Sequence, residues 1–179
     1  MKKIYLIGLM LIFSSITYGQ VFNTGQTLKP KKFSAGIEPG VMVNSNSEFI
    51  LFLHGGYGIK QGIDFSLKAG VLGPEEYFGA DVEFALLKRM SIAFGAHSFG
   101  DFGLDGNWNV TFPIKKDIRV SSGLDLDVNF NEDKTRYLLW LPLSVEIGLR
   151  KNMSFIFEAE IGLTDPAYNF IGGGLNFYF

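Results

Sequence analysis

The sequence predicts an all-β fold, an up-and-down antiparallel transmembrane β-barrel of about ten strands. Three observations predict it. Apolar and polar residues alternate with period two from Phe33 to the end of the chain. The connections between the alternating segments are in turn tight and longer. Basic residues gather on the tight connections and acidic residues on the others.

Composition sets the outer bounds. A chain of 179 residues favours a single domain. Its 22 glycines, without a repeat period, argue against long helices and exclude collagen. There is no cysteine, so disulfides, thiolate metal sites and cysteine nucleophiles are excluded. The net charge of −2 gives no reason to expect nucleic acid as a partner.

Residues 1–19 read as a secretory signal peptide. A basic "MKK" precedes the apolar run "IYLIGLMLIF", and "SSITYG" supplies the small residues before a cleavage point between Gly19 and Gln20. The apolar run is too short for a good membrane-spanning helix. Loss of Lys2 and Lys3 takes the net charge from −2 to −4. Residues 20–32 form a short polar arm, and residues 33–179 form the barrel.

Ten segments follow, at 33–43, 48–59, 63–72, 78–87, 90–99, 104–114, 118–128, 137–149, 153–163 and 169–179. Each is about ten residues long, the length a tilted strand needs to cross a bilayer. The second, "EFILFLHGGYGI", is apolar on both faces, so its register is open: His54 points inward in the register taken here and faces lipid in the other. The third sets Ile63, Phe65, Leu67 and Ala69 against Asp64, Ser66, Lys68 and Gly70. The fourth sets Phe78, Ala80, Val82 and Phe84 against Gly79, Asp81 and Glu83. The seventh alternates Leu124, Leu126 and Val128 with Asp125 and Asp127. The ninth sets Phe155, Phe157, Ala159 and Ile161 against Ile156, Glu158 and Glu160. An eight-stranded barrel, with two segments off the membrane, stays open as an alternative.

Tight turns fall at "KQG" (60–62), "KR" (88–89), "KKD" (115–117) and "RKN" (150–152). The remaining connections are "NSNS", "GPEEY", "GDFG", "NFNEDKTR" and "TDPAY". Membrane barrels have this division between short inner turns and longer outer loops. The tight turns carry Lys60, Lys88, Arg89, Lys115, Lys116, Arg150 and Lys151, with Asp117 the only acid, and the arm adds Lys29, Lys31 and Lys32. The other rim carries Glu48, Glu75, Glu76, Asp101, Glu132, Asp133 and Asp165 against Lys134 and Arg136. A basic rim gains favourable electrostatics beside anionic lipid head groups.

The chain closes on "LNFYF", with Leu175, Phe177 and Phe179 on one face. Here it resembles the small outer-membrane β-barrel proteins of Gram-negative bacteria, whose final strand ends in an aromatic residue. The resemblance implies that Phe177 and Phe179 act as an assembly signal. It implies a cell outer-membrane location, with outer-membrane lipid, lipopolysaccharide and the outer-membrane assembly machinery as partners, and leaves room for other outer-membrane proteins. It implies no particular activity. Aromatics such as Tyr57, Phe65, Phe78, Trp108 and Phe112 lie on the apolar faces, as an interfacial girdle requires. A soluble, exported, lipocalin-like binding barrel is the structural alternative. Its apolar faces would point inward.

With apolar faces outward, the polar faces line a lumen. They place Glu38, Asp64, Asp81, Glu83, Asp105, Asp125, Asp127, Glu146, Glu158 and Glu160 inside, with Lys68 and Arg119 as the only bases. So many acids repel one another unless water, hydrogen bonds or cations intervene. Asn107, Asn109, Ser144, Asn176 and Tyr178 share those faces. Two readings follow, a side-chain-plugged barrel with a structural or partner-binding role, and a narrow cation-preferring channel.

No enzyme is expected. His54 and His97 are the only histidines, and Ser98 points away from its neighbour His97. The barrel-type lipid A deacylases place a His and a Ser two positions apart on the lipid face, which "AHSFG" does not match. The loops are too short for an omptin-type protease. No cofactor, metal-ligand spacing or nucleic-acid patch is expected.

Overall fold

The structure is a computed structural model that describes residues 24–43, 47–132 and 134–179. The expected signal peptide and the first residues of the arm lie outside these residues, as does Asp133.

Ten antiparallel strands close into one barrel in sequence order. They are β1 Phe33–Val43, β2 Glu48–Lys60, β3 Ile63–Val71, β4 Tyr77–Leu87 and β5 Met90–Phe99, followed by β6 Asp101–Lys115, β7 Ile118–Phe130, β8 Thr135–Arg150, β9 Met153–Gly162 and β10 Asn169–Tyr178. Each strand pairs with its neighbour along the chain, and β1 with β10 closes the ring. At that seam Phe33 and Phe179 exchange both backbone hydrogen bonds, at 3.4 and 2.9 Å.

Four connections are two-residue turns, at 61–62, 88–89, 116–117 and 151–152. Each sits beside a register shift, between Gly58 and Lys60, Ala85 and Leu87, Pro113 and Lys115, and Gly148 and Arg150. The extra residue at each shift adds local twist, and its repetition makes one rim regular. Gly62 takes a φ of 77° in the first of these turns, a conformation that costs glycine nothing. The lysines and arginines of this rim are all exposed.

Three strands are longer than the hydrophobic pattern alone indicates. β6, β7 and β8 run 15, 13 and 16 residues. "GDFG" is therefore no loop: Asp101 to Gly103 belong to β6, and Gly100 alone makes the connection, at a φ of 69°. "NFNEDKTR" shrinks likewise, because Asn129 and Phe130 pair with Arg136 and Thr135. The ladder continues past the apolar stretch because cross-strand pairing does not need lipid. Asp101, expected on a loop, instead accepts hydrogen bonds from Asn131 Nδ2 at 2.9 and 3.2 Å.

Sidedness follows the alternation. Phe49, Phe78, Phe94, Phe112, Phe157 and Ile171 are among the large apolar residues exposed on the outside. Among the described residues, buried polar and charged side chains outnumber buried apolar ones. A soluble barrel needs the reverse, so the lipocalin-like alternative is overturned. An apolar belt of this extent on a closed ten-stranded wall belongs in lipid.

Candidate functional site

The interior is the candidate site, and it is layered along the barrel axis. The layer nearest the two-residue turns is polar. Arg119 Nη2 lies 2.6 Å from Glu146 Oε2, and Tyr178 Oη donates to Glu146 Oε1 at 3.0 Å. Asn176 Nδ2 donates to Tyr178 Oη at 2.9 Å. Thr111 and Ser121 hydroxyls are 2.7 Å apart. These residues meet because every second position of the pleat points inward.

The arm enters this layer. Read as a short polar arm, residues 24–32 instead thread the mouth of the barrel. Thr24 and Leu28 are buried, at 5% and 3% exposure. Gly25 N–H donates to Thr111 Oγ1 at 2.8 Å, and Leu28 N–H donates to Asp64 Oδ2 at 2.5 Å. Arg119 Nη1 donates to Gln26 Oε1 at 2.5 Å. Lys31 N–H and Gly58 O are 2.7 Å apart, and Gly58 N–H returns the bond to Lys32 O at 2.9 Å. A Cβ at Gly58 would stand 1.9 Å from Lys29 O, so only glycine lets the arm pass there. Leu28 was missed because residues 24–32 have no periodicity. The usable signal was a lone leucine before three lysines.

The middle layer is acidic. Glu38 Oε2 lies 2.9 Å from His54 Nε2, and both residues are buried, which fixes His54 inside. Ser66 Oγ donates to Asp81 Oδ2 at 2.7 Å. Glu83 and Glu158 are buried. Asp81, Asp105, Asp125, Asp127 and Glu160 border a cavity of about 100 Å³. Lys68 is the one basic side chain on its wall, with its Nζ 4.1 Å above the Phe52 ring. All ten acids singled out from the sequence thus face the interior, together with Lys68 and Arg119. Phe177 and Phe179 lie at the seam, with Phe179 exposed at 63%.

The layer nearest the longer loops is apolar. Met42, Ile50, Phe52 and Phe170 form a buried cluster, with Tyr77, Phe99 and Tyr168 packed against it. Phe52 meets Tyr77 and Phe170 edge to face, at centroid separations of 5.5 and 5.8 Å. This cluster explains why the second segment is apolar on both faces: its outer face meets lipid, and its inner face fills the mouth. Gly40 and Gly172 make room for Phe170, whose ring lies 2.4 and 2.6 Å from where their Cβ atoms would stand.

A constellation absent from the sequence reading lies across β5, β6 and β7. His97 Nδ1 is hydrogen-bonded to Asp105 Oδ1, and His97 Nε2 lies 3.9 Å from Asp127 Oδ2. Candidate ligand atoms of the three residues lie within 4.8 Å of one another. Pairing makes this cluster: Gly103 is opposite both His97 and Asn129, and Asp105 is opposite Asp127. Residues 8 and 22 positions apart carry no local ligand spacing, so only the strand register could have revealed it. The arrangement could hold a cation.

No protein-family model matches the chain, and no curated protein matches it. Among solved structures it is similar to a chain from the de novo design of transmembrane β-barrels, at 10% identity and a TM-score of 0.46, over 84% of this chain and 98% of that one. It is similar to the outer membrane protein Omp33 of Acinetobacter baumannii, at 12% identity and 0.43, over 83% and 98%. It is also similar to the outer membrane protein OprG of Pseudomonas aeruginosa, at 11% identity and 0.37, over 84% and 97%. The barrel assignment rests on the strand pairing itself.

Proposed function

We propose that the protein is an outer-membrane barrel with a closed interior, serving a structural or partner-binding role rather than solute passage. The observation that carries this reading is closure at both ends. The arm fills the mouth at the two-residue turns, with Leu28 buried and Asp64, Thr111 and Arg119 bound to it. The Met42, Ile50, Phe52 and Phe170 cluster fills the other. Between them lies a cavity of about 100 Å³, bordered by Asp81, Asp105, Asp125 and Asp127. Narrow barrels are commonly filled in this way by side chains.

The apolar exterior and the basic rim support a membrane with anionic lipid on the turn side. Outer-membrane lipid, lipopolysaccharide and the assembly machinery are the partners this reading names, with Phe177 and Phe179 as the assembly signal. The acids around the cavity favour a second reading, a narrow cation-preferring channel with an acidic lumen. Cell fractionation with heat-modifiable gel mobility tests the location. A heat-shifted band in the outer-membrane fraction supports it, and recovery in the soluble periplasm overturns it. Liposome swelling tests closure: vesicles carrying the protein should take up small sugars and salts no faster than empty ones.

A further inference from the structure

We propose that the barrel interior holds a divalent transition-metal ion between β5, β6 and β7, bound by His97 Nε2, the Asp127 carboxylate and Asn129 Oδ1. His97 is buried, at 4% exposure. Its Nδ1 is bonded to a carboxylate oxygen of Asp105 and so donates a proton there. With Nδ1 engaged by Asp105, Nε2 is the ring nitrogen left to meet a metal. A carboxylate behind the distal ring nitrogen is the usual support of a metal-binding histidine, which makes Asp105 the positioning residue.

Three further features converge on Nε2. Asp127 Oδ2 lies 3.9 Å away, a separation that two ligands bonded to one ion at about 2.0–2.2 Å can span. Asn129 Oδ1 is buried and has no hydrogen-bond partner. It and His97 Nε2 each lie 2.4 Å from the point where a Cβ on Gly103 would stand, so they are no more than 4.8 Å apart, and any larger residue at 103 would fill the space between them. A buried oxygen without a partner is costly unless something is there to meet it.

Charge points the same way. Asp105 and Asp127 are direct cross-strand partners, and like charges so placed repel. Asp125, two residues along on the same face, has a buried Oδ1 without a partner. Lys68 is the only cation on the cavity wall. A divalent ion answers this excess of carboxylate. One imidazole nitrogen with carboxylate and amide oxygens suits Zn²⁺ or Mn²⁺ better than Ca²⁺ or Mg²⁺, which prefer oxygen alone, and the absence of thiolate disfavours Cu(I). Asp105 and Asp127 side chains are 16% and 18% exposed and both border the cavity. The site depends on the interior geometry alone and stands whether or not the barrel conducts.

The test is Zn²⁺ titration of the untagged, folded chain in detergent micelles, followed by calorimetry and by ¹⁵N NMR of the imidazoles. One ion per chain is expected, with His97 Nε2 shifting on binding while Nδ1 stays protonated. His97→Gln and Asp127→Asn should weaken binding about tenfold or more, and loop Asp165→Asn should leave it unchanged. The NMR signature is read on the unaltered chain, so it holds even where a variant fails to fold. No saturable binding, a shift at His54 instead of His97, or affinity unchanged in both variants would overturn the site.

Discussion

Leu28 donates its backbone N–H to Asp64 Oδ2 at 2.5 Å, although the two residues are 36 positions apart. The bond ties the arm to the inner wall of β3 and turns a lumen acid into an anchor. Leu28 itself is 3% exposed. Truncating a buried leucine costs about 2 kcal/mol or more, roughly 30-fold in a local opening equilibrium. Leu28→Ala should therefore raise the rate of tryptic cleavage after Lys31 and Lys32 by about that factor. The strand region should keep its heat-shifted gel mobility. Equal cleavage rates in the two proteins would mean that the arm is not seated.

Gly58→Ala tests the same contact from the barrel side. The added Cβ would stand 1.9 Å from Lys29 O, and the backbone at that point has no flexible side chain to move aside. The arm should leave the mouth, seen as faster tryptic cleavage. Gly55→Ala is the control, since nothing lies within 4 Å of its Cβ position.

Arg119 neutralises Glu146 at 2.6 Å inside the barrel. Arg119→Met leaves that carboxylate buried beside Tyr178 without its counter-charge. Such a change costs about 3–5 kcal/mol. Tyr178→Phe removes the hydrogen bonds that Oη makes with Glu146 and Asn176, at 3.0 and 2.9 Å, and should cost about 2 kcal/mol. Urea unfolding in micelles, read by gel mobility, should rank Arg119→Met well below Tyr178→Phe. The reverse order would contradict the polar network as a stabilising layer.

Phe179 closes the seam through its backbone, bonded reciprocally to Phe33, while its side chain is exposed. Phe179→Ala should then lose little stability in micelles, within about 0.5 kcal/mol. As an assembly signal the ring should matter in cells. Outer-membrane levels of Phe179→Ala should fall several-fold. Unchanged levels would remove that role.

The strand spans were legible because period two survives wherever one face meets lipid and the other a polar interior. Ile156 and Glu158 on one face of β9, with Phe155 and Phe157 on the other, illustrate the pattern. It failed at β2, where Ile50 and Phe52 point into an apolar plug and Phe49 and Leu53 point out. It also failed at the ends of β6 to β8, where pairing outlasts the apolar stretch. The arm was illegible because Thr24 to Leu28 have no period, and their burial depends on Asp64, Thr111 and Arg119 from distant strands. The His97 cluster was hidden for a related reason. Its members meet only once the register sets Gly103 opposite both His97 and Asn129.

Single-channel recording of the chain from Gln20 onward, inserted in planar bilayers, bears most directly on the closed interior. The expected trace shows no current steps above background with the arm in place. Cation-selective steps from the intact chain would contradict a barrel closed by Leu28 at one mouth and Phe52 and Phe170 at the other.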